Sequence, residues 1–195
     1  MISLKECKEA IKPKLTEKRY RHSKCVSKAA AGLAIKYGAD PEKAAVAGML
    51  HDIMKDTAPE EQLKIIGRFD IILNDTEKKL PKLLHAISGA AYIEHYLKVR
   101  DQDIINAVRR HTSGRAGMSL LEKIVFIADF ISEDRDYPGV DEIRRQADES
   151  LELAMYEGIK FTAAQLMAEK SYVDPNTIAA YNDVIDILNR RAVML

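Results

Sequence analysis

Two aspartates placed among apolar residues are the first candidates for chemistry in this sequence. His51 and Asp52 directly follow the apolar stretch AAVAGML, and Asp129 interrupts the apolar run in KIVFIADFIS. Burying an unpaired carboxylate costs several kcal/mol, so such a group is normally paired with a cation or bound to a metal ion. The sequence therefore predicts either a metal site or buried ion pairs at Asp52 and Asp129.

Three histidines fall on the apolar faces of predicted helices. His22 and His111 extend apolar stripes at helical spacing, and His85 lies in PKLLHAISGA with Gly89 one turn away. A single inward histidine is more often a satisfied core residue than a ligand, and His95 in the amphipathic EHYLK is assigned no role. Several inward imidazoles beside buried carboxylates nevertheless match the ligands of borderline metals such as Fe, Mn or Zn.

The adjacency of His51 and Asp52 requires a particular backbone. Neighbours on a continuous helix point about 100° apart, so both can face one ion only at a helix end or irregularity. In the alternative without a metal, Lys55 pairs with Asp52. Arg135 would then fold back to Asp129 in the same way.

Helices are the elements that must position these residues. The composition is rich in helix formers, with nine glycines, six prolines and no tryptophan, and period-3.6 patterns recur along the chain. The predicted helices cover about 4–12, 16–38, 41–51, a short helix opening at 57–61, 81–97, 101–111, 119–131, 141–170 and 174–191. We predict an all-α fold of one domain with eight to ten helices.

Composition excludes several classes of protein. Charged residues make up 31% of the 195 residues and balance to a net charge of +0, so we expect no nucleic-acid or membrane partner. No apolar run approaches the ~18 residues of a membrane span, and the first residues lack the apolar core of a signal peptide. Cys7 and Cys25 form no close pair in the sequence. We therefore expect a cytoplasmic protein.

The ordered series of polar residues resembles the HD superfamily of metal-dependent phosphohydrolases. The series is His22, His51-Asp52, His85, His111 and Asp129. The stretches RYRHSKCVSKAAAGLAIKYGADPEKAAVAGMLHDIMKD, HTSGRAGMSLLEKIVFIADFISEDRDYPGVDEIR and YVDPNTIAAYN resemble the YqeK-type symmetrical bis(5′-nucleosyl)-tetraphosphatases of bacteria. That family hydrolyses diadenosine tetraphosphate to two ADP. The likeness extends from about Arg19 to Asn182.

The resemblance implies the domain organisation and the metal site. We expect one HD domain over residues 1–195, with a metal-site core at about 18–135 and C-terminal helices at 140–193 that complete the pocket and core. Iron is the implied metal, with Mn, Zn or another divalent ion as alternatives, and one or two ions are bound. The implied ligands are His22, His51, Asp52 and Asp129, with His85 and His111 for a second ion.

The resemblance also implies a hydrolase of phosphoric anhydride bonds that attacks phosphorus with a metal-activated water. We predict Asp52, His85, His111 and Lys55 as the catalytic residues. Its implied substrate-binding residues are His22, Cys25, His85, His111, Thr112, Arg135 and Tyr172. The sequence departs from the family at Glu133-Asp134, where a Glu-Pro pair is usual, and at Asp174 and Tyr181. These departures concern the base end of the pocket more than the phosphate end.

Alternatives to this function remain open from the sequence. The chain could be another HD phosphohydrolase, acting as a nucleotidase or on deoxynucleoside triphosphates or guanosine polyphosphates, or a non-catalytic helical module that senses nucleotides. The turn at 112–114 could hold a phosphate or simply end a helix. The pairs Arg109-Arg110 and Arg144-Arg145 are more often solvated than ligand-binding. A homodimer is also compatible with the amphipathic helices.

Overall fold

The computed structural model describes residues 2–193, which contain eleven helices and no strand. The helices are α1 Leu4–Ile11, α2 Glu17–Tyr37, α3 Pro41–Leu50, α4 Pro59–Arg68, α5 Asp75–Lys79, α6 Pro81–His95, α7 Gln102–Arg110, α8 Leu120–Ile131, α9 Val140–Glu149, α10 Leu151–Ala168 and α11 Pro175–Val193. The all-α prediction is confirmed. None of the helices in this range is long and apolar enough to cross a membrane.

Two local capping interactions explain why there are more helices than the predicted eight to ten. Asn74 accepts hydrogen bonds from the backbone of Thr76 and Glu77, and Glu77 bonds back to the Asn74 amide, which starts the unpredicted α5. The expected continuous helix over 141–170 is wrong, because Ser150 is extended (φ −157°) and its hydroxyl caps α10 through the Glu152 amide.

Caps also fix the start of the helices that carry the polar series. Asp40 accepts hydrogen bonds from the first turn of α3, and Asp101 does the same for α7. Ser119 and Glu122 form a reciprocal capping box at the start of α8. Thr16, predicted as the cap of α2, instead donates from its hydroxyl and its amide to Asp56.

The core lies where α2, α3, α7 and α8 pack together, and α10, from the C-terminal part of the chain, packs against α8. Fully buried side chains at this junction include Val26, Leu50 and Ile127. Gly48 allows α3 to cross α2 closely, because a Cβ at this position would lie 3.0 Å from the backbone of Ser27. The tight crossing brings the end of α3 against α2 and so fixes where His51 stands.

Candidate metal centre

Five helices bring the predicted polar series to one buried cluster. The residues and their positions are His22 on α2, His51 and Asp52 just after α3, His85 on α6, His111 just after α7, and Asp129 on α8. The four histidines and Asp52 are each at most 4% exposed. The structure thus brings together residues that are more than 100 positions apart in the chain.

His51 and Asp52 lie at a helix end, as two adjacent residues must if both are to face one ion. Helix α3 stops at Leu50, and the chain continues in tight turns, with the Ile53 amide bonded to the Leu50 carbonyl and the Lys55 amide to the Asp52 carbonyl. His51 Nε2 lies 3.5 Å from Asp52 Oδ2 in consequence. The two side chains therefore converge.

Two groups of potential ligand atoms overlap at His51. Its Nε2 belongs both to a group with His22 and Asp129 and to a group with Asp52 and His111, and in each group the atoms lie within 4.8 Å of one another. Asp129 Oδ1 lies 2.9 Å from His22 Nε2 and 3.9 Å from His51 Nε2. His51 is the residue that links the two groups.

Three of the histidines are oriented by carbonyl groups of their own helices. The Nδ1–H of His51 donates to Gly48 at 2.7 Å, that of His85 to Lys82 at 2.8 Å and that of His111 to Val108 at 2.7 Å. A carbonyl can only accept, so each Nδ1 must carry the proton. The unprotonated Nε2 then faces the cluster, as in histidines that bind metals.

His22 is oriented by a side chain instead. Its Nδ1 lies 2.8 Å from Asp134 Oδ2, and Ser132 donates a hydrogen bond to the other carboxylate oxygen of Asp134. Burial disfavours the charged imidazole, but the carboxylates of Asp129 and Asp134 outweigh burial and raise the pKa of His22.

The interior of the cluster fits a metal ion. Among the residues that the structure describes, His51 Nε2 and Asp52 Oδ1 are buried without a hydrogen-bond partner. His85 Nε2 and His111 Nε2 lie 3.1 Å apart, with their lone pairs facing each other in the tautomers described above. Buried acceptors that face one another are costly unless a cation lies between them. Imidazole and carboxylate donors suit a borderline first-row metal.

The charge states of the cluster also suit metal binding. Burial lowers the pKa of His51 to about 4 and that of His85 to about 4, so both are neutral near pH 7. Burial opposes ionisation of Asp52 and Asp129, yet the surrounding imidazoles and the nearby cations Lys55 and Arg135 hold the pKa of both carboxyls well below the usual range. The ionised carboxylates of Asp52 and Asp129 and the neutral imidazoles of His51 and His85 are therefore in the forms that coordinate metals.

The ion pairs considered as an alternative are both present at the edge of the cluster. Arg135 donates from Nη2 to the Asp129 carboxylate and from Nε to the Asp129 carbonyl at 2.7 Å. Lys55 Nζ lies 3.7 Å from Asp52 Oδ1 and 3.1 Å from His85 Nε2. These cations leave His51 Nε2 unpaired within the described chain, so ion pairing does not account for the whole cluster.

Two cavities border the cluster, one at Asp129 and the other at His85 and Lys55. One, of about 460 Å³, is lined by Asp129, Phe130, Arg135, Tyr137, Phe161, Thr162 and Gln165. The other, of about 600 Å³, has a wall that includes Arg19, Lys55, His85, Thr112, Thr162, Gln165 and Tyr172. Thr162 and Gln165 of α10 belong to both linings. The two cavities therefore adjoin each other at α10, and each borders different residues of the cluster.

The remaining predicted substrate residues differ in how close they lie to the cavities. The Thr112 hydroxyl is 3.0 Å from His111 Nε2, and Tyr172 is about half exposed in the wall of the larger cavity. Cys25 is buried outside the described linings of both cavities, with Sγ 3.6 Å from Glu133 Oε1. Burial, followed by the neighbouring carboxylates, raises its pKa to about 11, which disfavours the thiolate form.

The turn after α7 acts as a helix-ending turn. The Gly114 amide donates to the Arg110 carbonyl, and the Ser113 hydroxyl donates to the Gly114 carbonyl. Gly114 has φ +66°, and a Cβ there would come within 3.1 Å of Ala180. Of this turn, the Thr112 side chain is the group directed at the cluster.

Comparison with known proteins assigns the family. Residues 19–134 match the family model described as HD domain. The chain is 40% identical over 181 residues, 93% of this chain and 97% of the relative, to the Bacillus subtilis protein named "Bis(5'-nucleosyl)-tetraphosphatase, symmetrical". The chain belongs to the HD-domain family, among the symmetrical bis(5′-nucleosyl)-tetraphosphatases. The resemblance inferred from the sequence is confirmed.

Further relatives of this HD-domain protein agree. A protein of the same name from Halalkalibacterium halodurans is 38% identical over 181 residues, covering 91% of this chain and 94% of the relative. A Clostridium acetobutylicum crystal structure, described as a predicted HD superfamily hydrolase involved in NAD metabolism, superposes with a TM-score of 0.92. That structure is 36% identical and covers 95% of this chain and 98% of its own.

Sequence reasoning missed three residues that support the cluster of this HD-domain protein. Arg19 Nη1 lies 3.5 Å from Asp52 Oδ2, and Asp134 bonds to His22. Arg144, expected to be solvated, donates to the carbonyls of Ile131, Ser132 and Arg135. Arg19 stands one helical turn before His22, a spacing that could have indicated it, whereas the contacts of Asp134 and Arg144 depend on tertiary packing.

Proposed function

We propose that the protein hydrolyses diadenosine tetraphosphate symmetrically to two ADP, by attack of a metal-activated water on a phosphorus. The observation that carries this proposal is the pair of cavities that border one buried cluster, one at Asp129 and the other at His85. A symmetrical cut requires room for an ADP on each side of the reacting phosphorus. The names of the relatives support the same reaction.

The linings of the cavities suit nucleotides. The smaller cavity contains Phe130, Tyr137 and Phe161, whose rings can pack against a base, next to the guanidinium of Arg135. The larger cavity contains Tyr172 near its outer wall and the cations Arg19 and Lys55 near the cluster. In both cavities positive charge lies towards the cluster, where the polyphosphate would cross it.

The proposed metal ligands are His22, His51, Asp52 and Asp129, and the proposed metal is iron, with Mn, Zn or another divalent ion as alternatives. A bound ion of this kind supplies Lewis acidity and lowers the pKa of a coordinated water towards neutrality. The unpaired His51 Nε2 and Asp52 Oδ1 support this assignment. His85 and His111 are the proposed ligands if a second ion binds.

The residues on the other side of the cluster have proposed roles towards the phosphates. Lys55 and Arg19 supply positive charge, and the Thr112 hydroxyl supplies a donor, where negative charge develops on the polyphosphate. His85 or His111 is the proposed donor to the ADP leaving group once a proton has been placed on Nε2, and the 3.1 Å separation of the two Nε2 atoms would let them hold that one proton between them. Arg135 is the proposed contact to the second ADP from the smaller cavity, and Cys25 stays a proposed substrate-binding residue.

Three broader predictions accompany this function. The chain forms one HD domain over residues 1–195, in which the helices at 140–193 complete the pocket around a core at 18–135. It acts in the cytoplasm, without nucleic-acid or membrane partners. It could also assemble as a homodimer, which light scattering coupled to size-exclusion chromatography would test.

A panel of nucleotides tests the proposed substrate. The purified protein is assayed with diadenosine tetraphosphate, deoxynucleoside triphosphates, guanosine polyphosphates and mononucleotides at equal concentration. We expect kcat/KM to be highest for diadenosine tetraphosphate. Preferential cleavage of any of the other nucleotides would assign another HD phosphohydrolase activity, and binding without cleavage of any substrate would favour a sensing module.

Elemental analysis tests the proposed metal. Protein purified without chelator under anaerobic conditions should contain close to stoichiometric iron, and chelation should remove activity that ferrous iron restores. Manganese, zinc or another divalent ion in place of iron would revise the identity of the metal, and protein that is fully active with no bound divalent ion would contradict the proposed site.

A further inference from the structure

His22 differs from the other three histidines of the cluster in what orients it. His51, His85 and His111 each donate from Nδ1 to a carbonyl three residues earlier in the chain. His22 lies inside the continuous 21-residue helix α2. Its Nδ1 contacts Asp134, which is 112 positions away in the sequence.

Asp134 is itself held firmly. Its Oδ2 lies 2.8 Å from His22 Nδ1, and its Oδ1 accepts a hydrogen bond of 2.8 Å from the fully buried Ser132. Each carboxylate oxygen therefore has a defined partner. Charge-assisted hydrogen bonds of this length are stronger than neutral ones.

The backbone that carries Asp134 is fixed by a guanidinium. Arg144 of α9 donates to the carbonyls of Ser132 at 3.1 Å and Arg135 at 2.9 Å, one on each side of Asp134. The same turn places Arg135 against Asp129. The turn at 132–135 thus holds two members of the cluster through adjacent residues.

We infer that Asp134 is a positioning residue for the metal site, acting through His22. Its carboxylate accepts a hydrogen bond from Nδ1–H, so that Nε2 faces the ion unprotonated. Its negative charge also makes the imidazole a stronger electron-pair donor to the metal. Ser132 orients the carboxylate for this task. The inference rests on the proposed metal site and is independent of which nucleotide is the substrate.

Binding of Mn²⁺ to the full-length apoprotein tests this role without measuring activity. Free Mn²⁺ is followed by electron paramagnetic resonance for the wild type and for Asp134→Ala, Asp134→Asn and Ser132→Ala. We expect Asp134→Ala to raise the Kd about 10- to 100-fold. Asp134→Asn should raise it less, because its amide oxygen still accepts from Nδ1–H, and Ser132→Ala less again.

Glu133→Gln is the matched control. Glu133 is the adjacent carboxylate, is exposed, and pairs with Lys28 at 2.8 Å. Its loss removes the same charge from the same turn, and the Kd for Mn²⁺ should stay within about twofold of the wild type.

Two results would overturn the inference. The first is a wild-type protein that binds no Mn²⁺, which would also remove the proposed metal site. The second is a wild type that binds while Asp134→Ala and Asp134→Asn bind as tightly as Glu133→Gln, which would leave the metal site in place and assign Asp134 no part in it. If Asp134→Ala does not fold, as judged by circular dichroism, Asp134→Asn and Ser132→Ala decide the outcome in the same way.

Discussion

The two sides of the polar cluster are built differently. On one side, His22 and Asp129 are held by the side chains of Asp134 and Arg135, which come from a turn more than 100 residues after His22. On the other, His85 and His111 are held by carbonyls of their own helices. His51 and Asp52 stand between the two sides.

The difference indicates a division of tasks. The side with His22 and Asp129 depends on tertiary contacts and presents the ligand atoms of the proposed metal site. The side with His85 and His111 needs only intact helices, and it faces Lys55 and the larger cavity. We therefore expect substitutions on the first side to change metal binding and those on the second to change turnover with the metal retained.

Asp52 should give the largest effect, because its oxygens reach both sides. Oδ2 lies 3.5 Å from His51 Nε2 and Oδ1 lies 3.2 Å from His85 Nε2. Asp52→Asn should lower kcat about 10³-fold or more and also reduce metal content, since it removes a charged ligand and so loses several kcal/mol of transition-state stabilisation. Steady-state kinetics and elemental analysis check both. Asp148→Asn, at an exposed carboxylate, should change neither kcat nor metal content. Full activity in Asp52→Asn would contradict the proposed division of tasks between the two sides of the cluster.

His85 distinguishes the two sides. His85→Ala should lower kcat about 10²- to 10³-fold, as expected for loss of a general acid, while one equivalent of metal stays bound. His22→Ala should instead lose the metal. Single-turnover kinetics and metal content on the same samples give the comparison. Equal metal loss in both variants would show that the two sides act as one binuclear ligand set.

Lys55 should give a smaller effect on the same side. Its ammonium lies 3.1 Å from His85 Nε2 and borders the larger cavity. Lys55→Met should lower kcat/KM about 10- to 100-fold, the value of a charge-assisted hydrogen bond to phosphate. Lys55→Arg should recover part of the loss, which supports a charge role. If Lys55→Met matches the wild type in kcat/KM, the lysine serves only to pair with Asp52.

Glu152 lies outside the polar cluster, so its substitution should change the free energy of unfolding and leave activity unchanged. It is paired with Lys123 at 2.8 Å and with Arg191 at 2.9 Å, and these cations, against the opposing effect of burial, lower its pKa to about 2. Glu152→Gln should cost roughly 1–3 kcal/mol at pH 7 with kcat/KM unchanged.

The pH dependence of this stability follows from the lowered pKa. The folded-state value lies below the ordinary 4.5, so the stabilisation is complete above pH 4.5 and is lost as the pH falls from 4.5 towards 2. The difference in melting temperature between wild type and Glu152→Gln should shrink over that interval in calorimetry. A difference that stays constant down to pH 2 would exclude the ion pair as its cause.

The helices were largely predictable because their signals are local. Asp40-Pro41, Asp101 and Ser119 mark starts that the structure confirms, and Gly38 ends α2 in the left-handed conformation as predicted. The break at Ser150 was missed because the apolar pattern continues across it, and a single capping serine interrupts the helix without proline or glycine.

The residues of the candidate site could be predicted from the sequence, but the residues that orient them could not. His22 and Asp129 were found because each is polar where the pattern requires an apolar residue, and His51 because it directly follows an apolar stretch. Asp134 and Arg144 occupy positions where polar residues are expected. Their contacts depend on how the turn between α8 and α9 packs against α2. Such contacts carry no periodic signal in the sequence.

Product analysis with diadenosine tetraphosphate tests the central claim most directly. The full-length protein, loaded with ferrous iron, is incubated with the substrate, and the nucleotides are separated by anion-exchange chromatography at early times. We predict two equivalents of ADP per substrate consumed, without ATP or AMP. Equal amounts of ATP and AMP, or intact substrate under conditions in which mononucleotides are cleaved, would contradict a cut at the centre of the polyphosphate.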